Sequence, residues 1–247
     1  MRVEGTRTIT SFRSAAAKPA SLGDLKLTQT LTHVGRPQVI QAIQIAELTK
    51  LATESGAVFK VVAAVGNTVL EMTPLLRVYG ARQALDEQVL LHTIEIGDER
   101  TFEQDPKYSL RLIVDIAIKA LSPAINDPTT AVQALDQIED LLIRLGRHRL
   151  EVGNYRDEQG TLRLTVPFPT WDDFLLLALD EIRSCGANSV QVMRRMNALI
   201  KKMLPDLAEQ PTASASGLEE KEDLPRGGVG RVEAHLQWRR LREHAVG

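Results

Sequence analysis

Asp-Pro occurs at Asp105-Pro106 and again at Asp127-Pro128, and a further proline, Pro123, lies between them. An aspartate before a helix accepts hydrogen bonds from the free N–H groups of the first turn, and a proline at the first helical position gives up an N–H that has no partner there. Each Asp-Pro therefore reads as the start of a helix. Pro123 in turn pushes Ser122 out of helical geometry and ends the first helix. The block LSPAINDPTTA, Leu121 to Ala131, is then a corner between two helices, and a short corner makes them antiparallel neighbours.

In the first helix Tyr108, Leu110, Leu112, Ile113, Val114, Ile116, Ala117, Ile118 and Leu121 cover most of the circumference, a pattern that predicts burial on nearly every side. Lys107, Arg111, Asp115 and Lys119, spaced by four, form the polar stripe. Asp115 has a cation one turn away on each side, so an ion pair is the simplest reading of a carboxylate on such a helix. The second helix places Ala131, Leu135, Ile138, Leu142 and Leu145 on one face and stops at Gly146.

The flanking sequence completes an α+β chain. Residues 1–26 read as a disordered leader, poor in large apolar side chains. Residues 27–97 carry short β-like runs (LTQTLTHV, QVIQAIQI, AVFKVVAAV and TVLEMTPLLRV) broken by Gly35-Arg36-Pro37, Ser55-Gly56, Gly66-Asn67 and Pro74, which predict a small β-rich, barrel-sandwich-like module. Alternation is clearest at Val39, Gln41, Ile43 and Ile45, and residues 47–53 look like one or two helical turns. Residues 98–205 form a helical domain with one β-hairpin, built from residues 154–156 and 162–166. Thr170 with Asp173 is a capping-box start for a helix closed by Gly186, and a final helix ends at Pro205. Residues 206–247 read as a disordered linker followed by a short basic helix over 231–244.

Composition narrows the function classes. Thirty basic against thirty-two acidic side chains leave no field to attract nucleic acid, which is not expected as a partner. A single cysteine, Cys185, excludes an internal disulfide and, with five scattered histidines, leaves no zinc-finger spacing. The apolar runs at 112–121 and 174–179 fall short of the roughly twenty residues that span a bilayer, so this chain by itself is expected to be soluble and cytoplasmic.

Nucleophile elbows, P-loops and dinucleotide fingerprints are absent. What remains is a set of polar residues around the two helix starts. Asp105, Arg111, Asp115, Asn126 and Asp127 are the candidate binding residues; no catalytic residue and no metal ligand is assigned. For Asn126 and Asp127 a structural corner explains every residue type, with an anion site at the helix N-terminus as the functional reading. The cluster Glu99, Arg100, Glu103, Gln104 and Asp105 could supply oxygen ligands to Mg²⁺ or Ca²⁺ but lacks the alternation and glycine of a calcium loop, so a solvated approach to the helix is the expectation. Residues 65–76 resemble the hairpin sandwich of biotinyl and lipoyl carriers, which need a lysine at the tip. Here stand Asn67 and Glu71, and no cofactor is expected.

The stretch ERTFEQDPKYSLRLIVDIAIKALSPAINDPTTAVQALDQIEDLLIRL, Glu99 to Leu145, resembles the signature block of a bacterial family of predicted membrane proteins catalogued as a domain of unknown function. Its pattern runs from an R-T-x-E-Q-D-P block through L-V-D-I-A and A-L-S-P to an I-N-D-P-x-T-A corner, and weaker similarity extends from about Leu27 to about Leu204. Members of that family look like a set of transmembrane helices followed by a soluble region, and only the soluble region has a counterpart here. The resemblance implies membrane association, with a membrane domain or membrane protein as partner, and keeps a homo-oligomer open. A non-enzymatic sensing or interaction domain is the expected function. The alternative is a metal-assisted hydrolase using Asp105, Asp115 and Asp127.

Overall fold

Short strands punctuated by glycine and proline are too small to bury a face alone, so they pair across the chain into two sheets with a common core. The computed structural model describes residues 25–147 and 153–209. The leader up to residue 24 and the tail beyond 209, with its basic segment, lie outside the described residues. In chain order the elements are β1 (Leu27–Thr32), β2 (Gln38–Ile43), α1 (Ile45–Glu54), β3 (Val58–Val61), β4 (Thr68–Val69), β5 (Pro74–Tyr79), α2 (Glu87–Leu91), β6 (Ile94–Gly97), α3 (Pro106–Ala120), α4 (Pro128–Gly146), β7 (Asn154–Arg156), β8 (Leu162–Thr165), α5 (Trp171–Gly186) and α6 (Val190–Glu209). The chain is α+β.

One sheet has the order β1-β5-β3-β8-β7 and the other β4-β2-β6. Leu31, Ile40, Ile43, Phe59, Val69, Leu75, Leu76 and Val78 from both sheets form one core with Leu48 and Ala52 of α1. Within β2 the inward positions are Ile40 and Ile43, three apart, rather than the Val39-Gln41-Ile43 series. The reason is a register shift between Ile40 and Ala42 in the pairing with β6. A bulge adds one residue to a strand and reverses the alternation beyond it, which simple period-two counting misses.

The β7–β8 hairpin forms where expected, and β8 also pairs in parallel with β3. Leu164 and Val166 thereby enter the β core. The hairpin is spatially the end of the larger sheet, although it lies in sequence among the helices. Strands four residues long need partners, and the exposed edge of β3 supplies one.

The helical half has its own core: Leu110, Val114 and Ala117 of α3, Leu135, Ile138 and Leu142 of α4, Phe174, Ala178 and Ile182 of α5, and Val192, Met196 and Leu199 of α6. Helix α3 packs against α4 and α5. The expectation that α3 is buried nearly all round is corrected: only one face is covered, Leu112 and Ile113 are half-buried, and Ile116 is 51% exposed. Two neighbouring helices cover two flanks of a cylinder and leave the third to solvent. Helix α5 starts with the predicted capping box, Thr170 and Asp173 bonding reciprocally. Helix α6 runs past Pro205, because a proline fits helical φ and removes one main-chain bond without forbidding the helix. Cys185 is exposed.

Candidate functional site

The residues predicted as a site fall at three places along α3. The first is its N-terminus, where residues 99–105 cross over β2. The Gln41 amide donates to the Glu99 carbonyl at 2.7 Å. The Gln104 amide bonds both main-chain groups of Ile43, accepting from the N–H at 3.1 Å and donating to the carbonyl at 3.4 Å. One glutamine thus takes the role of a neighbouring strand at the end of β2.

Asp105 is 3% exposed and has both oxygens engaged: Oδ1 accepts from the Tyr108 N–H at 3.1 Å as helix cap, and Oδ2 lies 2.7 Å from Arg100 Nε and 2.5 Å from a terminal Arg100 nitrogen. Arg100 also lies over the Tyr108 ring, 5.0 Å from its centre, and Phe102 stacks on Tyr108 at 4.7 Å. Burial pushes the Asp105 carboxyl above its usual range, and Arg100, followed by the capping N–H groups, opposes that push without cancelling it. The solvated approach expected for this segment is therefore corrected for Arg100, Gln104 and Asp105; only Glu99 and Glu103 are exposed. Local sequence could not guide that reading, because part of the cover comes from Gly66, about forty residues away in the chain. With φ +84 in the turn between β3 and β4, Gly66 lies so close that a methyl there would overlap the Asp105 carboxylate.

The second place is mid-helix. Arg111 bridges Asp115 on its own helix and Glu181 on α5. Glu181 is held below the usual glutamate range by the Arg111 hydrogen bond. Asp115 is ion-paired as expected, but it is 45% exposed and not a buried acid. An exposed pair of this kind adds little stability.

The third is the corner. Asn126 takes φ +48, a left-handed conformation that asparagine tolerates better than most residues, and this turns the chain so that the Asp127 N–H reaches the Ala120 carbonyl at 2.8 Å. Asp127 caps α4, accepting from the N–H groups of Thr129 and Thr130 and from Thr130 Oγ1 at 2.5 Å. The Thr130 hydroxyl and N–H, then the Thr129 N–H, keep its carboxyl below the usual range. Since the carboxylate occupies the anion position of this helix, Asp127→Ala is expected to lower the melting temperature modestly. Most of that loss should vanish as pH falls through the lowered pKa, where the native cap is itself protonated. A thermal melt across the acid range checks it.

Asp105 and Asp127 sit at opposite ends of the 15-residue α3, about 22 Å apart along its axis, with Asp115 between them on an outer flank. The three carboxylates do not meet. Among the described residues no group of three or more His, Cys, Asp or Glu is arranged to hold a metal ion. The gap beside Asp105, between Ile43, Val65, Gln104, Pro106 and Phe168, has a volume of about 20 Å³, room for a water and no more. An open cleft of about 340 Å³ lies between Gln44, Glu47, Asp86, Gln88 and His92, and none of the predicted site residues lines it.

One functional-looking residue escaped sequence reasoning. Glu139 of α4 is nearly buried and bonds Arg195 at 2.6 Å and Lys202 at 2.5 Å, both from α6, while Arg195 also holds Asp136. Burial pushes the Glu139 carboxyl up, but the hydrogen bonds from Lys202 and Arg195 outweigh it and the net shift is downward. The available signal was Asp136 and Glu139 one turn apart, facing a helix with Arg195 and Lys202 two turns apart.

The family model described as predicted membrane protein (DUF2254) matches residues 4–202, most of the chain. The chain belongs to this family. Uncharacterized proteins of Mycobacterium tuberculosis and Mycobacterium bovis are 35% identical to it over 113 residues, which is 46% of this chain and 22% of each relative. The match thus spans about a fifth of those relatives' length. No solved structure matches the chain. Among the described residues no helix is long and apolar enough to cross a membrane.

Proposed function

We propose that this chain is a non-enzymatic sensing or interaction domain, working on the cytoplasmic side beside a membrane domain or membrane protein. The observation that carries this reading is how the acidic side chains are used. Asp105 and Asp127 are spent as helix caps, Asp105 and Asp115 are ion-paired, and the three are spread along α3. A hydrolase needs its acid, base or metal ligands to converge on one reacting atom, within hydrogen-bond reach. Membership in a family of predicted membrane proteins supports the placement.

Two measurements test the proposal. The melting temperature of the chain is expected to be unchanged by Mg²⁺, Ca²⁺ or Zn²⁺, since a ligand that prefers the native state must raise it. A rise abolished by Asp127→Ala would favour the metal-assisted hydrolase instead. In fractionated cells the native protein is expected with the membranes, and its recovery in the soluble fraction would overturn the membrane-side placement.

A further inference from the structure

The β module ends in an apolar tip made of two turns tied together. The His33 N–H donates to the Thr73 carbonyl and the Met72 N–H to the His33 carbonyl, both at 2.9 Å. The Glu71 carboxylate accepts from the Gly35 N–H at 2.5 Å. His33 is buried beneath the tip, with Nε2 2.8 Å from the Arg36 carbonyl; a carbonyl only accepts, so Nε2 donates. Three side chains project from this frame: Val34, 77% exposed, Leu70, 55%, and Met72, 67%.

Met72 adopts φ +65, a left-handed conformation that disfavours a methionine and suits asparagine or glycine. Stability alone would select a polar residue there, on grounds of both backbone and exposure. An unfavourable backbone that serves to present an apolar side chain to water points to a role outside the fold. At its base Arg36 is paired with Asp98 at 2.6 Å, while the exposed Glu71 carboxylate accepts from the Gly35 N–H and keeps its negative charge.

We propose that this tip, Val34, Leu70 and Met72, inserts into the apolar boundary of a lipid bilayer. The tip is convex. A rigid protein partner would have to present a matching pit, whereas lipid deforms around any apolar knob. With Arg36 paired and Glu71 anionic, nothing at the base of the tip attracts acidic headgroups, so a zwitterionic lipid suits it better than an acidic surface. Membership in a family of predicted membrane proteins supplies the membrane, and the inference rests on the membrane-side placement proposed above.

The 247-residue chain is sedimented with phosphatidylcholine vesicles at low and high salt. It is expected to bind, with little dependence on salt. Met72→Asn should lower the vesicle partition coefficient roughly tenfold, as removal of one buried large apolar side chain predicts. The same variant should melt at or above the parent temperature, because asparagine tolerates this φ, so a folding defect cannot mimic the result. Val34→Asp should act in the same direction. Failure of the parent to sediment, unchanged binding by both variants, or binding that needs acidic lipid and vanishes in salt would each overturn the insertion. A parent dimer that Met72→Asn dissociates would overturn it too and assign the tip to a second copy. If vesicle binding fails while the native protein still fractionates with membranes, the insertion is lost and the proposed placement stands.

Discussion

Gly66→Ala is expected to destabilise the chain by about 3–4 kcal/mol, more than a surface glycine in a turn would normally suggest. The left-handed backbone contributes ~1–2 kcal/mol, since φ +84 is costly for any residue with a Cβ. The rest comes from contact. The new methyl overlaps the Asp105 carboxylate, whose movement weakens the Arg100 pair and the cap of α3 together, at about 2 kcal/mol for a partly broken buried pair. The turn cannot retreat, because the Gly66 N–H donates to the Ile40 carbonyl and Asn67 accepts from Ile40 on the same strand. Urea denaturation with a constant slope gives the loss directly. Pairing the substitution with Asp105→Ala separates the two sources: the double variant should be clearly more stable than the sum of the single losses, because Asp105 is the group the methyl displaces. Additive losses would place the whole effect in the backbone.

This junction also marks where the sequence stops being readable. The Asp-Pro starts and the Thr170 capping box are local devices, each complete within a few residues, and each forms as the residue types dictate. The periodicity of α3, by contrast, counts apolar residues without saying how many neighbours will cover them, and two helices cover less than the pattern suggests. The bulge in β2 and the parallel partnership of β3 with β8 depend on strands far apart in sequence, as does the burial of Asp105 under Gly66. Among the site residues, Asp105, Asp115 and Asp127 were legible as caps and ion pairs. Arg100, Gln104 and Glu139 were not, because their partners come from another element or from across a turn of main chain. Met72 was hidden for a different reason: its signal is a backbone angle, and nothing in the residues around it, Leu70-Glu71-Met72-Thr73, marks a left-handed position as asparagine or glycine would.

Arg100→Leu is expected to cost about 3 kcal/mol at neutral pH, the low end for a broken buried pair because Arg100 retains some exposure. The loss should depend on pH with a definite sign. Asp105 in the native chain already has its pKa raised above the ordinary 3.8, so the folded state holds the proton more tightly than the unfolded state. Stability on account of this group therefore falls as pH rises from the ordinary value through the raised one, and is flat above it. Arg100 is the largest influence opposing that rise. Removing it lifts the pKa further, widens the window and deepens the fall. The gap between variant and parent should be widest at neutral pH and should narrow as pH falls below the raised pKa of the parent, where the carboxyl is protonated in both. Arg100→Lys should lie between them, keeping the charge but losing the paired hydrogen bonds and the planar contact with Tyr108. Adding Asp105→Asn to Arg100→Leu removes the titrating group, and that double variant should lose the excess pH dependence. A gap that stays constant with pH would mean that Arg100 acts through packing against Tyr108 and not through the charge of Asp105.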